Sequence, residues 1–222
     1  MDLISIIITF LILLFSVVIH EVSHGVVADR LGDHTARYAG RLTLNPLPHL
    51  DLFGSILMPL FLWIATQGQF VFGAAKPVPV NFFNLREPKR DMVLVSLAVP
   101  GANFFLALAF ALPLRLGLLP IDSYGSSLLL YVMWINLMLG IFNILPIPPL
   151  DGSKVFSGLL TDRYLTTLFV WERYGFLLIF LLLFTGLLAV IIFPVLGVAV
   201  PLLSGISVGK AYVILKSFGF IR

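Results

Sequence analysis

The most chemically informative part of the sequence is a His-Glu-Val-Ser-His run near its start. This run places His20 and His24 four residues apart, with Glu21 directly after the first histidine. On a helix, two histidines at this spacing share one face and can bind one Zn²⁺, while the glutamate lies beside the metal as a base for its bound water. The pattern therefore predicts a zinc hydrolase site with His20 and His24 as ligands and Glu21 as the catalytic base.

The element that carries this motif is an apolar segment long enough to cross a membrane. Residues 3–19 contain only three polar members, Ser5, Thr9 and Ser16, and the motif follows without a helix breaker. A helix over residues 3–28 would be about 39 Å long, more than the ~30 Å of a bilayer's hydrocarbon core. Ionisable side chains are costly in such a segment, so they indicate a functional site.

The composition of the 222-residue chain is that of a membrane protein. Hydrophobic residues make up 59% of it and charged residues 11%, against about 25% charged in a typical soluble domain, and the mean hydropathy is +1.06. Because the chain has no cysteine, a zinc site must use histidine and carboxylate ligands. The net charge of +3 comes without a Lys/Arg-rich run, so we expect no nucleic-acid partner. The apolar start lacks the basic region of a signal peptide, and we expect it to be retained.

Apolar runs predict an all-α polytopic membrane protein with about five transmembrane helices. The predicted spans are residues 3–28, 92–119, 128–145, 176–193 and 195–215. A further stretch over residues 54–72 has a short apolar core interrupted by Pro59. Runs this short are more often re-entrant or interfacial than spanning.

The positions of the basic residues favour a re-entrant path for residues 54–72. If this stretch does not cross and the N-terminus lies outside, every one of the 14 Lys and Arg residues except Arg115 faces the cytoplasm. If this stretch crosses the membrane, at most 10 of the 14 Lys and Arg residues face the cytoplasm in either orientation. Since cytoplasmic loops carry the excess of positive charge, we predict an integral protein of the cytoplasmic membrane whose site lies towards the cytoplasm.

A second motif supplies a candidate for the missing metal ligand. The run from Asn143 to Gly152 reads Asn-Ile-Leu-Pro-Ile-Pro-Pro-Leu-Asp-Gly, and its three prolines end the preceding helix. Asp151 therefore lies on irregular backbone beside the membrane, which is tolerated only where it is buried in protein or lines a wet cavity. A catalytic zinc with two histidines needs one more protein ligand and keeps its fourth position for water. We predict that Asp151 is this third ligand.

Together these motifs resemble the site-2 protease family of zinc metalloproteases that cut within membranes. The matching elements are residues 20–24, residues 143–152 and the run Ala-Val-Pro-Gly-Ala-Asn at 98–103, which is similar to the family's A-G-P-x-x-N element with Val99 in place of glycine. Residues 40–45 and 73–81 are similar to compact bacterial members without PDZ or CBS domains. The resemblance predicts a single domain with a catalytic membrane core over residues 1–158 and C-terminal transmembrane helices over 159–222.

The resemblance also implies roles for individual residues. Glu21 would take the proton of the attacking water and deliver it to the leaving amine. Asn143 would donate to the oxyanion of the tetrahedral intermediate. Asn103 would bind substrate backbone, although a helix–helix hydrogen bond is the alternative. The implied substrate is a membrane-anchored protein, often the anchor of a transcription factor or anti-sigma factor.

Two segments within about residues 36–81 predict a small membrane-associated β-hairpin or sheet. Residues 41–45 alternate polar and apolar side chains, and the prolines in residues 76–80 force their predecessors out of the helical region. Because proline confines a strand to the edge of a sheet, this edge could pair with an unwound substrate. The alternative is a brace that only supports the fold. The candidate substrate contacts here are Thr43, Leu44 and Asn45.

Two other classes of protein fit parts of the pattern. A catalytically silent membrane module could bind metal through the same residues, but it would not need a base at Glu21. A cation transporter could use His20, Glu21, His24 and Asp151 as an ion path, but no inverted repeat is visible in the sequence. The sequence therefore favours the protease.

Overall fold

The computed structural model describes residues 3–65, 75–159, 173–175 and 177–220, and its regular secondary structure there is helical. The helices are α1 (Leu3–Arg30), α2 (Thr35–Tyr38), α3 (Met58–Ala65), α4 (Pro88–Arg115), α5 (Tyr124–Asn143), α6 (Asp151–Leu159), α7 (Leu187–Ser204) and α8 (Val208–Ser217). Short 3₁₀ turns cover Leu47–His49 and Phe82–Asn84, and a π-helical turn covers Leu52–Leu57. A further apolar helix runs over Arg173–Phe184.

Four of the described helices are long and apolar enough to cross a membrane, namely α1, α4, α5 and α7. This finding agrees with a polytopic membrane protein. Two of these helices contain prolines within their length, Pro100 and Pro113 in α4 and Pro194 and Pro201 in α7. Proline is tolerated in membrane helices because neighbouring groups satisfy the backbone carbonyls that it frees.

The predicted boundaries of the last two spans, 176–193 and 195–215, are wrong. The helical structure is interrupted instead at Gly186 and Gly205, which both have a φ of 74° and flank α7. Glycine adopts this left-handed conformation without the steric cost of a Cβ, and it commonly ends helices. Pro194, which separated the two predicted spans in the sequence, lies inside one helix, so the described residues contain four candidate spans instead of about five.

Helix α4 is the centre of the bundle and packs against α1, α5, α6 and α7. Ala107 and Ala111 on α4 are completely buried, which allows the neighbouring backbones to approach closely. A Cβ added to Gly140 of α5 would lie 2.7 Å from the ring of Phe104 on α4. Small residues at this contact therefore let the two helices pack around an aromatic ring.

The end of α1 and the start of α4 meet in space. The backbone N–H of Arg86 donates to the carbonyl of Leu31 at 3.1 Å. The chain between these residues therefore begins and ends at one place, which is compatible with the predicted re-entrant path. Its described helical part, residues 52–65, would reach only about 21 Å at about 1.5 Å per residue, which is shorter than a bilayer core. Residues 66–74 of the predicted 54–72 stretch lie outside the described residues.

The predicted β-hairpin or small sheet is wrong, because the described part of the chain contains no strand. Residues 75–80 are extended, but Pro77 and Pro79 have no N–H to donate to a ladder. The guanidinium of Arg41 binds the carbonyls of Lys76 and Pro77 at 2.7 and 3.3 Å. Side chains thus occupy the backbone groups that a partner strand would need.

Candidate metal centre and active site

Three side chains with metal-binding atoms meet between α1 and the start of α6. Nε2 of His24 lies 3.2 Å from Oδ1 of Asp151, and Nε2 of His20 lies 3.7 Å from Oδ2 of the same carboxylate. One ligand atom from each residue lies within 4.8 Å of the other two. The structure therefore brings together the three residues that were predicted as ligands, although Asp151 is more than 120 positions from the histidines.

The chain between α5 and α6 is shaped so that Asp151 reaches α1. Tight turns follow the end of α5, with hydrogen bonds from the N–H of Ile147 to the carbonyl of Leu145 and from Leu150 to Ile147. Helix α6 then begins at Asp151 itself. A Cβ on Gly152 would collide with backbone atoms of Ile144 and Leu145, so only glycine permits this close return. The glycine after the aspartate is therefore a geometric requirement of the motif.

The geometry of this donor set fits zinc. Four ligands at about 2.0–2.1 Å from a tetrahedral zinc lie roughly 3.3 Å from one another. The distance from His24 to Oδ1 of Asp151 is close to that value and the distance from His20 to Oδ2 is slightly longer, and two imidazoles with one carboxylate are a ligand set that zinc accepts. Such a set leaves one position for a water molecule or a substrate oxygen.

The outer nitrogens of both histidines are held by the fourth helix. Nδ1 of His20 lies 3.0 Å from the side-chain oxygen of Asn103, and Nδ1 of His24 lies 3.2 Å from the carbonyl of Val95. Because both partners are acceptors, each Nδ1 carries the hydrogen, which leaves each Nε2 lone pair directed toward Asp151. Hydrogen bonds of this kind orient histidine ligands and set their tautomer.

Glu21 contacts an extended segment, residues 75–80, which we call the strap. The backbone N–H of Val78 donates to Oε2 of Glu21 at 2.9 Å. The strap is held from the other side by Arg41 and by a hydrogen bond from the N–H of Lys76 to the carbonyl of His49 at 2.8 Å. The carboxylate that was predicted as the base is therefore oriented by a backbone donor.

The far end of the strap is fixed by Asp33, a completely buried residue just after α1. Its carboxylate accepts from the N–H of Asn81 at 2.7 Å, the side-chain amide of Asn84 at 3.0 Å and the hydroxyl of Thr35 at 2.5 Å. Burial by itself raises the pKa of Asp33, but the hydrogen bonds from Thr35, Asn81 and Asn84 outweigh it and hold the pKa below its ordinary value. The charged form of Asp33 therefore stabilises the loop that carries the strap.

The cluster opens into a cavity of about 850 Å³. His20, Glu21, His24, Asn143, Asp151 and Lys154 supply the polar part of its wall. Val17, Val78, Phe142, Leu150, Ile179, Phe180, Leu183 and Leu188 are among its apolar lining. A metal-binding cluster that ends in an apolar cavity among membrane helices can receive a hydrophobic segment of a polypeptide.

Comparison with known proteins agrees with this geometry. A model of peptidase family M50 matches residues 121–184, which include Asn143 and Asp151. The "Putative zinc metalloprotease YwhC" of Bacillus subtilis (strain 168) is 38% identical over 197 residues, which cover 83% of this chain and 84% of that protein. The chain belongs to the site-2 protease family, peptidase family M50.

Two further relatives are more distant. The "Putative zinc metalloprotease Rip2" of Mycobacterium tuberculosis (strain ATCC 25618 / H37Rv) is 35% identical over 139 residues, 63% of this chain and 52% of that protein. The "Zinc metalloprotease MJ0392" of Methanocaldococcus jannaschii is 28% identical over 155 residues, 70% of this chain and 35% of that protein. No solved structure matches the chain. This site-2 protease is accordingly an intramembrane zinc metalloprotease, and the silent module and the transporter are not favoured.

Of the other predicted site residues of this site-2 protease, one lines the cavity and the rest do not. Asn143 lines the cavity, and its amide donates to the carbonyl of Leu139 at 2.9 Å. Asn103 is completely buried behind His20 and also donates to Asn136, which agrees with the helix–helix alternative. The segment with Thr43, Leu44 and Asn45 does not line the cavity. The carbonyl of Thr43 instead binds Nε2 of His49 at 2.9 Å.

The sequence analysis missed four groups of this protease that hold Glu21, the strap or the residues behind His20 in place. They are the backbone N–H of Val78, the guanidinium of Arg41, and the side chains of Ser16 and Asn136. Asn136 carried a usable signal, because a polar residue inside an apolar span is costly unless it has a partner. Val78 carried none, since a backbone donor has no side-chain signature.

Proposed function

We propose that His20, His24 and Asp151 bind the zinc ion of this protease and that Glu21 is its general base. The observation that supports this assignment is the meeting of the three donor side chains in the wall of an apolar cavity that Glu21 also lines. When bound, zinc supplies Lewis acidity toward the attacking water and the scissile carbonyl. The remaining chemistry belongs to the protein's own side chains.

Glu21 has the geometry of an oriented base. The N–H of Val78 binds Oε2, so the carboxylate is held in one orientation and Oε1 is left to accept the proton of a water molecule. The same carboxylate then delivers the proton to the leaving amine.

Asn143 is the proposed donor to the oxyanion. Its side-chain nitrogen carries two hydrogens, and one of them is directed to the carbonyl of Leu139. The second can donate into the cavity that Asn143 lines. A preorganised amide in a site of low dielectric stabilises developing negative charge more strongly than water does.

The cavity favours an apolar, membrane-anchored substrate segment. Side chains such as Phe142, Leu183 and Leu188 give it a hydrophobic wall that reaches the C-terminal helices. A helical segment hides its peptide bonds, so the substrate must unwind before one of them can reach Glu21 and the three proposed zinc ligands. We propose that the protease cuts within or beside the transmembrane segment of its substrate.

Reconstitution of the purified full chain with single-span membrane peptides tests this function. We expect cleavage within or beside the apolar span, loss of cleavage in 1,10-phenanthroline and recovery when zinc is returned. His20→Ala is expected to remove both zinc and cleavage. Cleavage that persists without metal, or cleavage confined to peptides without a membrane span, would overturn the proposal.

The site is proposed to face the cytoplasm, with the N-terminus outside. This orientation rests on two observations. It places every Lys and Arg except Arg115 on the cytoplasmic side, and it agrees with the hydrogen bond between the backbones of Leu31 and Arg86. Because the chain has no cysteine, single cysteines can report it directly. In spheroplasts, a membrane-impermeant maleimide should label Asp122→Cys, between α4 and α5, and not Tyr38→Cys on α2. The reverse labelling would place the site outside.

A further inference from the structure

A chain of side-chain hydrogen bonds connects His20 to two residues that no motif includes. The amide nitrogen of Asn103 on α4 donates to the amide oxygen of Asn136 on α5 at 3.0 Å. The nitrogen of Asn136 in turn donates to the hydroxyl of Ser16 on α1 at 3.0 Å. We call Asn103, Asn136 and Ser16 the amide relay. It links three helices and returns to α1 one turn before His20.

The direction of every bond in the amide relay follows from one backbone carbonyl. The nitrogen of Asn136 also lies 2.9 Å from the carbonyl oxygen of Val132, which can only accept. This contact fixes which end of the Asn136 amide is nitrogen, and its oxygen must then face Asn103. Asn103 must present its nitrogen to Asn136 and its oxygen to His20. Nδ1 of His20 must therefore carry the hydrogen.

Burial excludes the reversed orientations of the two amides. Asn103 and Asn136 are completely buried and Ser16 is 4% exposed. A reversed amide would place two oxygens or two N–H groups face to face without water to separate them, and each unsatisfied polar group is costly in such surroundings. A fully satisfied buried polar network is correspondingly rigid and allows one arrangement.

We propose that Asn136, supported by Ser16, is a positioning residue that holds His20 in its Nδ1–H tautomer and so directs the Nε2 lone pair to zinc. The inference rests on the proposed zinc site, since the tautomer of His20 matters for zinc only if Nε2 of His20 is a ligand. His24 provides an internal comparison, because its Nδ1 is held by the carbonyl of Val95, outside the amide relay. Substitution of Asn136 should therefore affect one histidine of the pair and spare the other.

The relay is tested by ¹⁵N NMR of the histidine rings in zinc-free, full-length protein in detergent micelles. We expect His20 to show the Nδ1–H tautomer in the native protein and a substantial Nε2–H population in Asn136→Leu, because the Asn103 amide can then turn over. His24 is expected to remain unchanged. Zinc affinity, measured by competition with a chelator, should fall about ten- to hundredfold, as is usual when the hydrogen bond that orients a histidine ligand is disrupted.

Two variants distinguish positioning from general destabilisation. Ser127→Ala removes a completely buried hydroxyl of α5 that donates to the carbonyl of Ser123, outside the amide relay, and it should change neither the tautomer nor zinc affinity. Asn136→Asp keeps an acceptor for Asn103 and should restore the Nδ1–H tautomer. If Asn136→Leu does not fold, Asn136→Ala asks the same question with a smaller side chain.

The outcomes separate this inference from the proposed function. An unchanged His20 tautomer and unchanged zinc affinity in Asn136→Leu or Asn136→Ala would overturn the relay while leaving the zinc site intact. Zinc binding that survives His20→Ala, His24→Ala and Asp151→Ala together would overturn the zinc site itself. A loss of zinc affinity with equal changes at His20 and His24 would show that Asn136 acts only through the stability of the bundle.

Discussion

The backbone N–H of Val78 donates a hydrogen bond to Oε2 of Glu21 at 2.9 Å, although 57 positions of sequence separate the two residues. The donor belongs to the strap, and within it Val78 lies between two prolines, Pro77 and Pro79. Val78 is therefore the one residue of this Pro-Val-Pro run that can offer a hydrogen to the carboxylate. The relationship connects a proline-rich loop directly to the proposed base.

Removing this donor should impair catalysis without removing zinc. Val78→Pro deletes the N–H, while Val78→Ala shortens the side chain and keeps it. Because a hydrogen bond to a charged group contributes about 1.5–3 kcal/mol, we expect kcat to fall about ten- to hundredfold in Val78→Pro and much less in Val78→Ala. Single-turnover cleavage and metal analysis provide the measurement. Equal kcat values for the two variants would show that the hydrogen bond does not orient the base.

Gly25 sets how closely the strap approaches α1. A Cβ at this position would lie 2.6 Å from Cδ2 of Leu42 and 2.8 Å from Cγ1 of Val78. Gly25→Ala should therefore push the strap outward and cost about 1–3 kcal/mol of stability, as overpacking does. We expect a lower melting temperature and reduced kcat. Gly197→Ala is the matched control and should keep native activity, because on α7 the added Cβ would meet no side chain of the described residues within 4 Å beyond its chain neighbours.

Replacement of Glu21 by glutamine should separate metal binding from proton transfer. The side chain is not among the three that form the cluster, so Glu21→Gln should retain zinc in metal analysis. An amide cannot accept the water's proton, and general-base catalysis contributes about 10²–10⁴-fold, so cleavage should fall by at least that range. Native cleavage rates in a zinc-loaded Glu21→Gln protein would remove Glu21 from the base role.

Asn143 is expected to act on kcat more than on KM. Loss of an oxyanion donor costs about 10²–10³ in kcat, so Asn143→Ala should lower kcat by that order and leave KM nearly unchanged. Asn143→Asp matches the native volume but replaces the donor with a negative charge, and it should be at least as slow. A change confined to KM in both variants would assign Asn143 to substrate binding.

Asp33 should make the stability of the strap loop dependent on acid pH. Its pKa in the folded protein lies below the ordinary value of about 3.9, so the folded state binds fewer protons there than the unfolded state. The stability that this group contributes is thus fully present above about pH 4 and is lost as the pH falls through the folded pKa.

Asp33→Asn should remove that contribution. An amide offers one acceptor atom in place of the two carboxylate oxygens that bind Thr35, Asn81 and Asn84. We expect a lower melting temperature at pH 7 and a shallower decline between about pH 4 and pH 2.5 than in the native protein. Asp122→Asn, in the exposed turn between α4 and α5, is the control. Parallel melting curves for native protein and Asp33→Asn across this range would show that Asp33 is not the group that titrates.

The sequence by itself determined the chemistry and the membrane setting. His20 and His24 lie on one helix, so their spacing alone predicts that they share a face, whatever the rest of the fold. The prolines before Asp151 end a helix locally, and uninterrupted apolar length marks α1, α4 and α5 as spans. These features depend on neighbours in the chain, and the structure agrees with them.

The tertiary structure decided which partners the polar groups find. Alternation and prolines predicted strands, but Arg41 and Glu21 take the backbone groups that a ladder needs, and the described residues form none. For Asn103 the sequence left substrate binding and a helix–helix hydrogen bond open, and in the structure its amide lies behind His20 and joins Asn136. Periodicity shows which face of a helix is buried, but not which distant donor or acceptor lies opposite. That choice is made only when helices from remote parts of the chain pack together.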